Sequence, residues 1–417
     1  MNKPDFDILV GPIGCLAACH DEQPRTGEAL KELPTLRNAA VGIRGDRIAY
    51  AGPYKDVASA SAEEKIDARG ATVLPGFVDP HTHVPFLGDR ASELSMRLNG
   101  MSYMDIGKKG GGILSTMRSV RDANEKTLLR AGRVLARSAL SHGTTTLEAK
   151  SGYGLNVPDE LKQLRVIKAL GDEGFQGFLP TCLAAHFVPP EFEGDPDGYV
   201  QFVCDEILPA VTAEKLAKFV DVFCEEGAFD LEQSRRVLEK GKALGLVPRL
   251  HADEIVDTGG AALAAEVGAA SADHLLAASD QGIAAMAEAG VCATLLPGTA
   301  FYLRKPYAPA RKFIEAGCVV ALATDCNPGS SYTTNLLEVA ALAVFGMGML
   351  PEEVLWSVTL NAAAALGEQQ RLGSIAEGKR ADLCIWNVPS PLHLFYPYGE
   401  NPLQTVLFGG RKVYEAT

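Results

Sequence analysis

From residue 71 to residue 370, short apolar runs of β type alternate with longer stretches whose apolar positions recur at helical spacing. The runs are Val73–Val78, Gly143–Ala149, Gly177–Leu183, Val220–Cys224, Leu246–Leu250, Ala270–His274, Val291–Leu296 and Val319–Thr324. Each has the length of a strand rather than a helix. The stretches between them, such as Leu231 to Leu244 and Gly282 to Ala289, are short and amphipathic, as crossovers between parallel strands require. Eight strands alternating with helices predict an α/β fold of one kind, a closed TIM-like (β/α)8 barrel.

Both ends break this rhythm. Ala40–Tyr50 alternates apolar and polar residues through a strand, a turn and a second strand in hairpin style. The style returns in Ala381–Trp386 and Val406–Tyr414. Residues 1–70 and 371–417 are therefore expected to pair into one small composite β-sandwich domain, with the barrel spanning residues 71–370. No internal repeat and no low-complexity tract is present.

Composition narrows what such a barrel does. The 417 residues are 47% hydrophobic, enough for a large core. A formal charge of −13, with no Lys/Arg stripe to follow phosphates, argues against nucleic acid as a partner and leaves a small-molecule substrate. No apolar run approaches the ~20 residues that span a bilayer, and the first residues lack a long apolar signal segment, so no membrane and a cytoplasmic location are expected. The nine cysteines contain no CxxC pair and read as reduced thiols packed as small hydrophobes. Cys15 and Cys19 stand closest together, but no second pair completes a structural zinc site.

In a barrel of this kind the loops after the strand C-termini converge over one mouth. His81 and His83 follow the first run, His251 the fifth, His274 ends the sixth, Asp325 follows the eighth, and His186 lies just past the third. If the first strand continues through them, His81 and His83 point to the same face. Five of the eight histidines on one rim is more than chance supplies; His20, His142 and His393 lie elsewhere and read as structural or exposed. Three neutral imidazoles, from His81, His83 and His251, with the Asp325 carboxylate suit zinc or a similar first-row ion and leave room for water. Water beside such an ion is acidic enough to attack a carbonyl near neutral pH. Glu254, His274 and Asp325 are the titratable groups placed to move its proton. The competing reading of Glu254 is a charge at a helix N-terminus, and Asp253 beside it is expected to be structural. Lys150, after the second run, is a candidate for carbamylation between two metals, but the fourth run ends in Cys224-Glu225-Glu226 and lacks the lysine such sites use, so one ion is expected. Gly110-Gly111-Gly112 lacks a phosphate-loop pattern and reads as a mobile loop near the mouth.

With these residues placed, the chain resembles the amidohydrolase superfamily and, within it, the imidazolonepropionase family. Beyond the His81-Thr82-His83 motif and the distal His and Asp, the resemblance rests on Gly110–Ile113, Lys150-Ser151-Gly152-Tyr153-Gly154-Leu155, His251-Ala252-Asp253-Glu254 and Thr324-Asp325-Cys326-Asn327-Pro328-Gly329. It implies hydrolysis of the ring amide of 4-imidazolone-5-propanoate to N-formimidoyl-L-glutamate, with one zinc or iron ion on His81, His83, His251 and Asp325. It also implies substrate contacts from Arg90, Tyr153, His186, Glu254, Asn327, Gly329 and Ser330, and a homodimer. A guanidinium fork at Arg90 suits the propionate of that substrate, while Asn-Pro-Gly is a turn signal in its own right. The rival readings are a superfamily deaminase of a heterocyclic base and a non-catalytic scaffold of the same fold.

Overall fold

The computed structural model describes residues 4–18, 22–101 and 111–416, so Cys19, His20 and Gly110 lie outside the described residues. Seven strands come from the two ends of the chain. Four are N-terminal, β1 (Phe6–Ala17), β2 (Thr35–Arg44), β3 (Arg47–Pro53) and β4 (Ala62–Pro75). Three are C-terminal, β13 (Leu383–Trp386), β14 (Leu403–Phe408) and β15 (Arg411–Glu415). They are hydrogen-bonded in the order β15-β14-β13-β4-β1-β2-β3. Alternation places Ile8, Val10, Val41, Ile43, Val73, Leu383, Ile385 and Leu407 in one core of their own.

The other eight strands form the barrel: β5 (Phe77–Asp79), β6 (Thr144–Lys150), β7 (Gly177–Ala185), β8 (Phe219–Cys224), β9 (Val247–Ala252), β10 (Ser271–His274), β11 (Cys292–Leu295) and β12 (Val320–Leu322). All neighbours pair in parallel and in sequence order. The ring closes where the chain just past β5 meets the chain just past β12, through a parallel bridge between Thr82 and Cys326. Helix Leu231–Ala243 illustrates the crossovers. Asp230 and Gln233 form a capping box at its start, and Ser234, Val237, Leu238 and Gly241 make its buried stripe. Gly241 lies so close to β8 that a Cβ there would stand 2.4 Å from Val220 Cγ1.

One sequence expectation needs correcting. Val73–Val78 is not one strand. Val73, Leu74 and Pro75 finish β4 in the terminal sheet, and only from Phe77 does the chain join the barrel. Gly76 makes the transfer possible, since a Cβ there would stand 2.3 Å from Thr145 Oγ1. Cys384 Sγ on Gly143 O (3.2 Å) and Trp386 against Phe77 (ring centroids 5.3 Å) join the two units at the same place.

Among the described residues no helix is long and apolar enough to cross a membrane. The eight described cysteines are all free and buried.

Candidate active site

β5 stops at Asp79, so alternation along a strand is not what aligns His81 and His83. Backbone pairing with the end of β12 does it instead. Asp325 N–H donates to His81 O (3.0 Å) and His83 N–H to Cys326 O (3.0 Å). Beneath them, Asp79 accepts from Thr324 N–H (3.1 Å) and Thr324 Oγ1 (2.6 Å). The expected ligands from the two ends of the barrel strand order are thus neighbours in one short ladder.

His81, His83, His251, His274 and Asp325 are all buried at the C-terminal mouth. Donor atoms of His81, His83 and Asp325 lie within 4.8 Å of one another, and so do those of His81, His251 and His274. Asp325 Oδ1 is 3.4 Å from His81 Nε2 and 3.2 Å from His83 Nε2. The His81 and His251 rings are 4.5 Å apart, centroid to centroid. His81 Nε2, His251 Nε2 and Asp325 Oδ1 are buried without a hydrogen-bond partner. Buried polar atoms are costly when unpaired, and these are of the types that bind a first-row cation. The donor set fits a metal ion. Asp253, His274, Leu275 and Asp325 are held at φ values of 51°, 77°, 61° and 51°, left-handed backbone that clusters at functional sites.

A set of buried residues, of which sequence reading singled out only Lys150, orients these donors. Asp273 Oδ2 accepts from His81 Nδ1 at 2.7 Å and Asp221 Oδ1 from His251 Nδ1 at 3.0 Å, which leaves each Nε2 as the lone-pair nitrogen facing the pocket. Thr299 Oγ1 donates to Asp325 Oδ2 (2.5 Å). Arg249 Nη2 binds Asp273 Oδ2 (3.1 Å) and Pro80 O (2.7 Å). Lys150 Nζ lies between Glu148 Oε1 (2.7 Å) and Asp221 Oδ2 (2.8 Å). A faint signal existed, because Asp221 and Arg249 interrupt runs that are otherwise apolar.

The charge pattern follows from burial and these pairs. Burial alone would raise Asp325, yet the His81 and His83 rings, 3.4 and 3.2 Å from its Oδ1, hold it well below the usual carboxylate range. Burial and Lys150 press His81 down, but Asp273 and Asp325 prevail and lift it to about 9, so a cation bound there would displace the Nε2 proton and leave the Nδ1–H on Asp273. Burial leads in bringing His186 and His274 down to about 3. Glu254 keeps some exposure at the mouth, and loss of water together with Asp325 and Glu225 pushes it up to about 8. It sits in a loop, not on a helix. Asp253 serves the helix instead, accepting from Gly260 N–H (3.0 Å) and Ala261 N–H (2.9 Å) at the start of Gly260–Val267. Glu225 accepts Ile255 N–H (2.8 Å) and so fixes the backbone beside Glu254.

The residues expected around a substrate line the same mouth. His186 stacks on His83 at 5.1 Å, donates Nδ1–H to Gly152 O (3.0 Å), and faces Tyr153 at 5.5 Å. Glu160, buried, accepts Gly152, Gly154 and Leu155 N–H and shapes the loop that carries Tyr153. Arg90 is buried, and Glu93 takes its Nε (2.8 Å) and Nη2 (2.7 Å), which aims the guanidinium at Gly329. A Cβ on Gly329 would stand 2.3 Å from Arg90 Nη1, so any larger residue there would push the guanidinium aside. Asn327 is engaged within its turn: Oδ1 accepts Gly329 N–H (2.7 Å) and Ser330 N–H (2.8 Å), while Nδ2 donates to Asp325 O (2.7 Å) and Ser330 Oγ (2.9 Å). Arg97, which sequence reading missed, donates to Gly329 O at 2.7 Å. Gly112 N–H binds Glu93 Oε1 (2.7 Å), which ties the glycine loop to the Arg90 pair. His142 and His393 lie away from the mouth, on Ser138 O (2.8 Å) and Ser390 Oγ (2.8 Å).

Comparison with known proteins agrees with this geometry. Residues 192–414 match the model of the amidohydrolase family. An imidazolonepropionase of Geobacillus kaustophilus is 49% identical over 94% of this chain and 93% of its own length. One from Porphyromonas gingivalis is 47% identical over 99% of both. Among solved structures, an atrazine chlorohydrolase from Arthrobacter aurescens complexed with zinc superposes with a TM-score of 0.69 at 16% identity, covering 98% of this chain and 95% of its own. An adenosine deaminase from Xanthomonas campestris with bound zinc gives a TM-score of 0.69 at 19% identity, covering 98% of this chain and 92% of its own. The two structures share the fold, the two relatives share the sequence nearly end to end, and the chain belongs to the imidazolonepropionase family of the amidohydrolases.

Proposed function

We propose that the chain hydrolyses the ring amide of 4-imidazolone-5-propanoate to N-formimidoyl-L-glutamate, a step of histidine degradation, at one cation site made by His81, His83, His251 and Asp325. The observation that carries this reading is the convergence of unpartnered His81 Nε2, His251 Nε2 and Asp325 Oδ1 in the buried mouth of a chain 49% identical to an imidazolonepropionase. A zinc or iron ion held there supplies a Lewis acid for the ring carbonyl and makes water acidic enough to open the ring.

The side chains divide the remaining work. His274, neutral through burial, donates to the carbonyl oxygen as negative charge gathers on it. Its Nδ1 stands 3.8 Å from Glu254 Oε1. Glu254 accepts the proton of the attacking water and returns it to the ring nitrogen when the C–N bond breaks; a carboxyl raised to about 8 suits both halves of that transfer. Arg90 binds the propionate, with Glu93 fixing its direction. Tyr153 offers a donor to the ring and carboxylate oxygens, His186, its one N–H committed to Gly152 O, presents an acceptor nitrogen to a ring N–H, and Asn327 shapes the Gly329-Ser330 turn against which Arg90 lies.

The reaction consumes one water and releases no ammonia. Decay of the substrate's ultraviolet absorbance with purified, metal-replete protein, alongside an ammonia assay, tests it. Ammonia from a purine or pterin, with no decay of the imidazolone, would make the chain a deaminase instead.

Two variants separate the roles. Glu254→Gln is expected to lower kcat by about 10²-fold or more, because the proton acceptor is removed and the shape kept. A loss below about tenfold would leave Glu254 a binding residue. Arg90→Ala is expected to raise KM about tenfold with little change in kcat, the scale of one charge-assisted hydrogen bond. An unchanged KM would remove Arg90 from the propionate site.

A further inference from the structure

The Lys150 ammonium is buried, ion-paired and used by no step of the reaction above. It ends β6 directly beneath the mouth. Its side chain reaches one half of the cation site through Asp221. Asp221 Oδ2 takes Lys150 Nζ at 2.8 Å, and Asp221 Oδ1 takes both His251 Nδ1 (3.0 Å) and His251 N–H (3.2 Å). It reaches the other half through Glu148. Glu148 Oε1 takes Lys150 Nζ at 2.7 Å, while Oε2 accepts Thr82 N–H at 3.2 Å. Thr82 lies between His81 and His83, and its Oγ1 donates to Glu148 O (2.7 Å) while its own carbonyl accepts Lys150 N–H (3.0 Å). One ammonium therefore joins the His81-Thr82-His83 segment to His251.

Its surroundings also fix what it can become. A carbamate on Nζ would replace a cation by an anion between two carboxylates at hydrogen-bond distance, where buried like charges repel strongly. Burial opposes the ammonium, but Asp221 and Glu148 outweigh it and raise its pKa above the usual lysine value. The site's charge balance points the same way. Glu148, Asp221 and Asp273 are three buried carboxylates paired with two buried cations, Lys150 and Arg249, and Asp325 adds a fourth carboxylate beside His81 and His83. With the imidazoles neutral, as metal ligands are, two negative charges remain, the number that one dication neutralises.

We propose that Lys150 is a positioning residue that aligns the two halves of the ligand set through Glu148 and Asp221, and that its ammonium stands where bridging chemistry would need an anion, which holds the site to one cation. The proposal rests on the cation reading given above and is tested so that the two fail separately.

The probes are Zn2+, measured by chelator competition, and Co2+, read by its visible absorption. Wild-type protein is expected to bind one Zn2+ per chain. Lys150→Met is expected to weaken Zn2+ binding about 10- to 100-fold, the usual scale for losing a residue that orients metal ligands, and to change the Co2+ spectrum. Because that variant removes the cation between Glu148 and Asp221, the charge-balanced pair Lys150→Met with Glu148→Gln is measured beside it. It is expected to fold, with a circular dichroism spectrum like wild type, and still bind Zn2+ weakly. A single or double variant binding Zn2+ within about threefold of wild type, with the same Co2+ spectrum, overturns the positioning role. Wild-type protein in 13C-bicarbonate is expected to show no carbamate resonance. A carbamate signal lost in Lys150→Met, or two tightly bound Zn2+ per chain, overturns the one-cation role whatever the variants do. Wild-type protein with no tight Zn2+ site would instead overturn the cation reading itself.

Discussion

Asp325→Ala is expected to lower kcat by about 10³-fold or more and to abolish cation binding at the proposed site, the largest loss expected of any single substitution at the mouth. Asp325 Oδ1 is an anionic donor beside both His81 Nε2 and His83 Nε2, at 3.4 and 3.2 Å. Its other oxygen is tied to Thr299 Oγ1, and its backbone N–H to His81 O, so neither the side chain nor the main chain has another position to adopt. Alanine would remove that charge and leave imidazoles alone to hold a dication, with no anionic ligand to offset the loss of its water. Steady-state turnover and the metal content of the purified variant report the two effects separately. Turnover within about tenfold of wild type would move the site away from Asp325.

Arg249→Met is expected to destabilise the fold by about 3–5 kcal/mol, the usual result of removing one partner of a buried ion pair. Arg249 has no exposure. Its guanidinium binds Asp273 Oδ2 (3.1 Å), Pro80 O (2.7 Å) and Ala365 O (3.0 Å), which join β10, the chain entering the His81 segment, and the last helical layer. Methionine keeps most of the stem volume but strands the Asp273 carboxylate and two carbonyls. The penalty appears in urea unfolding of the holoprotein, and a midpoint shift worth less than about 1 kcal/mol would mean that Asp273 finds another partner. The loss of metal affinity should accompany it, because Asp273 also orients His81.

These two residues show where sequence reading reaches and where it stops. Asp325 could be found because it closes an apolar run, the position at which barrel strands deliver side chains to the mouth. Arg249 sits two residues before His251 in a similar run and could equally have been a surface cation. Only the barrel shows that its side chain points inward to Asp273, because the strand's direction and its neighbours are set by pairing with β8 and β10. His81 and His83 do come together, but the condition for alternation, a strand continuing through them, is not met: β5 ends at Asp79, and pairing with Asp325 and Cys326 aligns them. Asn-Pro-Gly was readable as a turn from its residues alone, whereas the approach of Arg90 to Gly329 came from chain segments far apart in sequence.

The linear order of residues was enough for the alternation of strand and helix, the β character of both ends, and the set of histidines and carboxylates on strand ends. Each of these is a local property, expressed in periodicity and in the residues that stop a run. The break at Gly76, the parallel bridge that closes the barrel, the tautomers set by Asp221 and Asp273, and the place of Lys150 between two carboxylates were decided only by tertiary structure. They depend on which groups share a space from which water has been removed, and a burial cost of that kind is a property of the whole packed fold rather than of any stretch of chain.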